Sequence, residues 1–288
     1  MTRVWKYSAR VKNTNILIVK GSAKKMSKTV LTKGIDVSNV GQGRISDWSK
    51  VAKNIDFAIL KLGNGYESKP FYTDVQFNRN ADACQKYGIP YGVYVYQYFT
   101  SVAKARAAAK KTVELLRSRK LDYPVFLDIE ENKVFSQGKA KILEMAKAFC
   151  EVIEAAGYTY GTYCSTGYFN SHLTDKWYDS KVKWLAQYYK EVTYKGKYDI
   201  WQYSSTGSVP GINGNVDMNF CYISVLEGDV DHDGKVTAAD ARKILRIAAQ
   251  LDSASDSQTA DNADMNDDGR ITAEDARLAL LKASGVKT

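Results

Sequence analysis

Two carboxylate patterns in this chain have the residue types and spacing to do chemistry. In the first, Asp128 and Glu130 stand two apart in Pro124-Val-Phe-Leu-Asp-Ile-Glu130, an apolar run that reads as a β-strand. Because side chains alternate across a strand, both acids project to one face. A pair of carboxyl groups held together there can divide the roles of proton donor and charge stabiliser. Asp36, near the end of an earlier strand, and Asp217, on a later one, become their neighbours if the strands close into a barrel. The chain has only two histidines, His172 and His232, which argues against histidine zinc sites and Ser-His-Asp triads and leaves acid–base work to carboxylates.

The second pattern is a repeat. Asp229-Val-Asp-His-Asp-Gly-Lys-Val-Thr-Ala-Ala-Asp240 returns 35 residues later as Asp264-Met-Asn-Asp-Asp-Gly-Arg-Ile-Thr-Ala-Glu-Asp275. Oxygen-bearing side chains fall at loop positions one, three, five and twelve, with glycine at six for the sharp turn, which is the calcium-loop spacing of an EF-hand. The ligand candidates are Asp229, Asp231, Asp233 and Asp240 in the first loop and Asp264, Asn266, Asp268 and Asp275 in the second. Lys235 and Arg270 would add backbone carbonyls at position seven, giving two Ca2+ ions in all. Each loop runs into an apolar-periodic helix, over 241–251 and 276–283, but the polar, turn-rich segment before Asp264 predicts no entry helix.

The elements that must position the first set of acids alternate along the chain. Strands are expected at 34–38, 57–62, 90–96, 124–129 and 159–164, with helices over 74–87, 103–117 and 139–156 between them. Alternation of this kind implies parallel strands with helical crossovers, an α/β barrel or sheet. Three further strands, at 183–187, 199–203 and 216–222, follow at gaps barely wide enough for a helix. The reading is an irregular (β/α)5β3 barrel closed by strands alone, some of them antiparallel, followed by a small all-α calcium-loop domain. Its boundaries are a basic N-terminal extension at 1–33, a barrel at 34–225 and the calcium domain at 229–288.

These residues carry two family resemblances. Lys33-Gly-Ile-Asp-Val-Ser38, Gly41-Gln-Gly, Asp47-Trp48, Phe57-Ala-Ile-Leu-Lys61, Gly92-Val-Tyr94, Phe126-Leu-Asp-Ile-Glu130, Trp201-Gln-Tyr203 and Val216-Asp-Met-Asn219 occur in the order found in family 25 lysozymes, and the stretch resembles that family from about residue 33 to 222. The resemblance implies a glycoside hydrolase that cuts peptidoglycan between N-acetylmuramic acid and N-acetylglucosamine. Glu130 would then be the general acid, Asp128 the residue that stabilises or orients the cationic intermediate, and Asp36 and Asp217 the residues that shape the site, with no cofactor for catalysis. Asn64 stands where many relatives carry an acid before the glycine. Residues 229–288 resemble a dockerin, which implies docking on a cohesin domain of a scaffold protein. A glycosidase acting on another N-acetylated glycan and a catalytically silent wall-binding module are the competing readings.

The chain holds 20 tyrosines and five tryptophans, which suit a sugar cleft because flat rings stack on pyranose faces. Tyr94, Tyr96, Tyr98, Tyr163, Tyr188 and Trp201, at or near strand ends, are the candidate substrate contacts. The net charge of +9 comes entirely from nine basic residues within 1–33, and the rest of the chain is neutral, so no nucleic-acid partner is expected. No apolar run reaches the length of a membrane span. The four cysteines are widely spaced and read as free buried thiols. Residues 1–33 show no hydrophobic core or cleavage site of a secretory signal, although both resemblances place the protein outside the cell, secreted or scaffold-attached at the surface.

Overall fold

The computed structural model describes residues 28–39, 44–225, 227–231, 236–254, 257–266 and 268–285. Most of the basic extension, together with Asp233 and Lys235, lies outside the described residues. The chain divides into two compact units, one of them Lys33–Cys221 and the other containing Tyr222–Thr288.

The first unit is the barrel. Its strands are β1 (Lys28–Val37), β2 (Phe57–Gly65), β3 (Tyr91–Gln97), β4 (Val125–Asp128), β5 (Tyr160–Ser165), β6 (Val182–Ala186), β7 (Ile200–Gly207) and β8 (Val216–Val225). They follow one another around the sheet, and β1 pairs with both β2 and β8 to close it. Every pair from β1–β2 to β6–β7 is parallel, whereas β7 and β8 are antiparallel. Residues 187–199 are long enough for a parallel crossover without a helix. Residues 208–215 are too few for one, so β8 must return alongside β7. Strand β1 opens at Lys28, six residues earlier than expected, because Thr29, Val30 and Thr32 are β-branched formers that continue the strand into the basic segment.

The crossovers are made by α1 (Phe77–Tyr87), α2 (Val102–Leu116) and α3 (Lys139–Ala155), with short helices at Trp48–Val51 and Thr166–Ser171 serving the first and fifth units. Helix α1 starts three residues later than its apolar pattern suggests, since the Asp74 carboxylate accepts the Gln76 amide in a turn that precedes it. Gly88 ends that helix at φ 64°, the left-handed conformation expected of a C-terminal glycine.

Strand alternation gives the barrel two packed layers. Ile35, Val37, Ala58, Leu60, Val93, Val95, Val125 and Leu127 face the helices and form one core with them. The opposite parity fills the barrel, where Trp184 packs against Tyr94, Phe126 and Tyr163 at ring-centroid distances of 5.9, 5.2 and 4.4 Å. Gly161 makes room for that filling, because a Cβ there would sit 2.4 Å from the Phe126 ring. Gly161→Ala is therefore expected to destabilise the barrel by about 1–3 kcal/mol through overpacking, seen as a lower denaturation midpoint at unchanged slope. A midpoint equal to wild type would mean that the ring can shift freely. All four cysteines are buried thiols outside any disulfide.

In the second unit, α4 (Ala238–Ala248) and α6 (Ala273–Ser284) pack on each other. Each begins with a capping box, Thr237 with Asp240 and Thr272 with Asp275, which satisfies the first amides of the helix. Contrary to expectation, a helix precedes the second loop: α5 (Ser257–Ala263). Its residues are polar and so carry no apolar period, but the buried Ala263 and Asn262 tie it to the core. Val230, Ala241, Ile244, Ala263, Ala276 and Ala279 make up the core of this unit among the described residues.

Candidate active site

The four predicted carboxylates meet at one end of the barrel. Asp128 is the last residue of β4, and Glu130 lies two residues beyond the strand with its side chain reaching solvent. The pairing nevertheless continues past Asp128, since the Ile129 amide donates to the Tyr163 carbonyl, and this keeps the alternation that aims both acids the same way. Asp36 comes from the C-terminal end of β1. Asp217 comes from the start of β8, because an antiparallel strand presents its beginning where its neighbours present their ends.

Beneath them runs a buried hydrogen-bond network. Asn219 and Gln202 both donate to Asp36 Oδ2, at 2.8 and 2.9 Å, and Gln202 also reaches Asp217 at 3.4 Å. Trp184 donates its indole N–H to Asn219 at 2.7 Å, and the hydroxyls of Tyr163 and Tyr188 donate to the Gln202 carbonyl oxygen at 2.8 and 2.9 Å. Asp128 Oδ1 is buried with no hydrogen-bond partner among the described residues. Tyr96 donates to Glu131 at 2.8 Å, which adds a further carboxylate to the mouth.

The electrostatics set two acids at odds with their ordinary ionisation. Burial pushes Asp128 well above the usual carboxylate range, and the neighbouring Glu130 adds to this while Lys61 opposes it. Glu130 is likewise raised, first by desolvation where protein crowds it and then by Asp217 and Glu131, again against Lys61. The Lys61 ammonium lies over the rings of Tyr94 and Tyr96, 5.8 and 5.1 Å from their centroids. Burial lowers its own pKa, and Asp128 is the largest charge that counters this. Lys61 therefore opposes the neutral form of both acids, while burial and their mutual repulsion favour a shared proton between them.

The aromatic candidates divide. Tyr94 and Tyr163 are buried in the floor beside Trp184. Tyr96 and Tyr98 lie toward the rim, with Tyr98 stacked on Tyr66 at 4.9 Å, and Tyr188 is more than half exposed. Trp201 is misplaced by the sequence reading. Adjacent strand residues face opposite ways, so with Gln202 pointing into the barrel Trp201 points out, against Tyr203 and Phe220, and its indole N–H is spent on the Gln187 carbonyl. Sequence reasoning quoted Lys61, Gln202 and Asn219 only as parts of motifs and gave Trp184 and Glu131 no role. For Lys61, Trp184, Gln202 and Asn219, strand parity with Asp36, Asp128 and Asp217 was the available signal, whereas Glu131 lies past the strand and offered none. Asn64 is buried, donating to the Tyr66 hydroxyl at 3.1 Å.

Residues 35–212 match the model of glycosyl hydrolases family 25. The chain belongs to this family. YegX of Escherichia coli O157:H7 is 30% identical over 198 residues, covering 65% of this chain and 68% of that protein. Among solved structures, the modular autolysin LytC of Streptococcus pneumoniae, determined in complex with a synthetic peptidoglycan ligand, superposes with a TM-score of 0.60 at 28% identity. That match covers 67% of this chain, which spans about half of LytC, 47% of its length. The bacterial lysozyme of Streptomyces coelicolor matches with a TM-score of 0.55 at 26% identity, covering 65% of this chain and 90% of that one. The family 25 assignment makes the protein a glycoside hydrolase. Residues 227–282 match the dockerin type I domain, so a dockerin follows the family 25 barrel.

In the dockerin, Asp229, Asp231 and Asp240 bring carboxylate oxygens within 4.8 Å of one another. Hard oxygen donors at this spacing suit Ca2+. Asp240 also accepts the amides of Val230, Asp231 and Thr237, which folds the first loop back onto α4. In the second loop Asp264 accepts the amides of Asp268 and Gly269, Asn266 that of Asp268, and Asp268 that of Arg270, while Asp275 holds Met265 and Thr272.

Proposed function

We propose that the protein is a lysozyme that hydrolyses the β-1,4 bond between N-acetylmuramic acid and N-acetylglucosamine in peptidoglycan, attached through its dockerin to a cohesin-bearing scaffold outside the cell. The observation that carries the reading is the gathering of Asp128 and Glu130, both with raised pKa values and with Lys61 beside them, at the end of the barrel where Asp36 and Asp217 also lie. Glu130 reaches solvent, so it can meet the glycosidic oxygen and protonate it as the bond breaks. Asp128 lies below it at the end of β4 and would stabilise or orient the developing positive charge through the substrate's own acetamido group. Asp36 and Asp217, fixed by Gln202 and Asn219, add negative potential around the cationic sugar ring. LytC and the Streptomyces enzyme, an autolysin and a lysozyme, support this substrate class. Tyr98 and Tyr188 at the rim offer faces for flanking sugars.

Turbidity loss of purified bacterial walls, with identification of the sugar at the new reducing end, tests the assignment. N-acetylmuramic acid is expected there, and N-acetylglucosamine or no release would overturn it. Because Glu130 works in its protonated form and its pKa is raised, kcat/KM is expected to fall as pH rises through that raised value, later than an ordinary carboxyl would allow. A rate that declines already through the normal glutamate range would remove Glu130 from the acid role.

In the dockerin, Asp229, Asp231, Asp233 and Asp240 would hold one Ca2+ with the Lys235 carbonyl, and Asp264, Asn266, Asp268 and Asp275 a second with that of Arg270. The ions supply charge neutralisation that lets the acidic loops close on the helices. Leu245 and Leu280, about half exposed on α4 and α6, provide apolar surface for the cohesin.

A further inference from the structure

The two calcium loops of the dockerin are entered differently. The second follows α5 directly, and the Asp264 amide still donates to the Ala260 carbonyl at 3.2 Å, so the helix runs into the first ligand. The first loop follows strand β8, which ends at Val225, with no helix before it among the described residues. From Val230 onward that loop is held by its own exit helix. Asp240 accepts the amides of Val230 and Asp231, and Lys243 donates to the Val230 carbonyl at 2.7 Å. At its start the hold comes from α5. The Asn262 side-chain amide donates to the Asp229 carbonyl at 2.6 Å, and the Asn262 carbonyl accepts the Gly228 amide at 2.9 Å. Asn262 and Asp229 are both almost fully buried, so water competes little for these bonds. Gly228 permits the approach, because its φ is 89° and a Cβ there would lie 2.9 Å from the Met265 sulfur and 3.1 Å from Val236. Met265, one residue past Asp264, thus packs beside the entry of the first loop.

We infer that Asn262 is a positioning residue that couples the two calcium loops, so that an ion in the second raises the affinity of the first. The inference rests on both loops binding Ca2+ and adds how one site acts on the other. Helix α5 has seven residues, too few to hold itself together in water. It is fixed at its end by the second loop, where Asp275 holds the Met265 amide and Asp264 those of Asp268 and Gly269. Drawing Asp264, Asn266, Asp268 and Asp275 together around an ion steadies that end, and Asn262 with it. Asn262 in turn sets the backbone of Asp229, whose carboxylate gathers with those of Asp231 and Asp240. The end of α5 therefore does for the first loop what an entry helix of its own would do. Coupling of this kind is reciprocal, so filling the first loop helps the second by the same factor.

Calcium titration of the full chain, followed by calorimetry and by helix content, tests this. Wild type is expected to bind two ions with a Hill slope above one, and Asp264→Ala, which spoils the second loop, to weaken the first by about tenfold. In Asn262→Ala the slope is expected to fall to about one, and adding Asp264→Ala should then cost the first loop less than about twofold. A slope that keeps its wild-type value while both loops weaken marks a structural role only and overturns the proposal, as does a wild-type slope of one. Should Asn262→Ala gain no helix at saturating calcium, Asn262→Leu, which keeps the volume without the donor, is read in its place, and its failure to fold counts as the structural outcome. Failure of the underlying calcium reading has a separate signature, fewer than two ions bound per wild-type chain.

Discussion

Glu130→Gln is expected to lower wall hydrolysis by ~100-fold or more while leaving the thermal transition of the barrel unchanged. The amide keeps the shape of the side chain but cannot hand a proton to the glycosidic oxygen. Because Glu130 reaches solvent two residues beyond β4, the replacement disturbs no packed layer. Asp128→Asn makes an informative contrast. It replaces a buried carboxyl that faces Lys61 and Glu130, so a loss of activity there should come with a shift in stability as well. Initial rates of turbidity loss alongside melting curves separate the two cases. Retention of more than about a tenth of the wild-type rate by Glu130→Gln would sink the general-acid assignment, since positioned acid catalysis rarely contributes less than that.

Removal of calcium from the full chain is expected to melt the dockerin and abolish scaffold binding while wall hydrolysis continues. The dockerin core is small and mostly alanine, too little apolar area to hold a fold by itself. Its first loop also gathers Asp229, Asp231 and Asp240 within 4.8 Å, where unscreened like charges repel. Ions present at about a thousand times their dissociation constant would add about 4 kcal/mol per site. Calorimetry should therefore show two transitions, of which only one moves when EDTA replaces calcium. Asp229→Ala with Asp264→Ala should reproduce the EDTA state and lose retention on an immobilised cohesin. A calcium-insensitive melt, or equal retention with and without calcium, would remove the tethering role.

Much of this was legible in the order of residues because it depends on local rules. Alternation of apolar runs predicted the barrel strands, and gap lengths too short for helices predicted that strands alone would close it. The doubled loop spacing was equally plain, since ligand positions within one turn-rich segment are fixed by their offsets along the chain. Asp128 and Glu130 could be assigned to one face from strand parity, and Asp36 and Asp217 followed once a closed barrel was assumed.

Other features had no local signal. Helix α5 was missed because its polar residues have no apolar period and are held through Asn262 and Ala263 by the rest of the dockerin. Trp201 was taken for a candidate sugar contact from its residue type and its place near a strand end, and its outward direction follows from the inward direction of its neighbour Gln202. Composition and spacing determined which acids and which calcium loops the chain possesses. Tertiary structure alone decided how those carboxyls are perturbed, because that depends on Lys61, Asp217 and the Trp184–Asn219–Gln202–Tyr163 network arriving from five different strands. Charge–charge coupling and hydrogen-bond direction act through space over a few ångströms, and sequence separation carries no record of that distance.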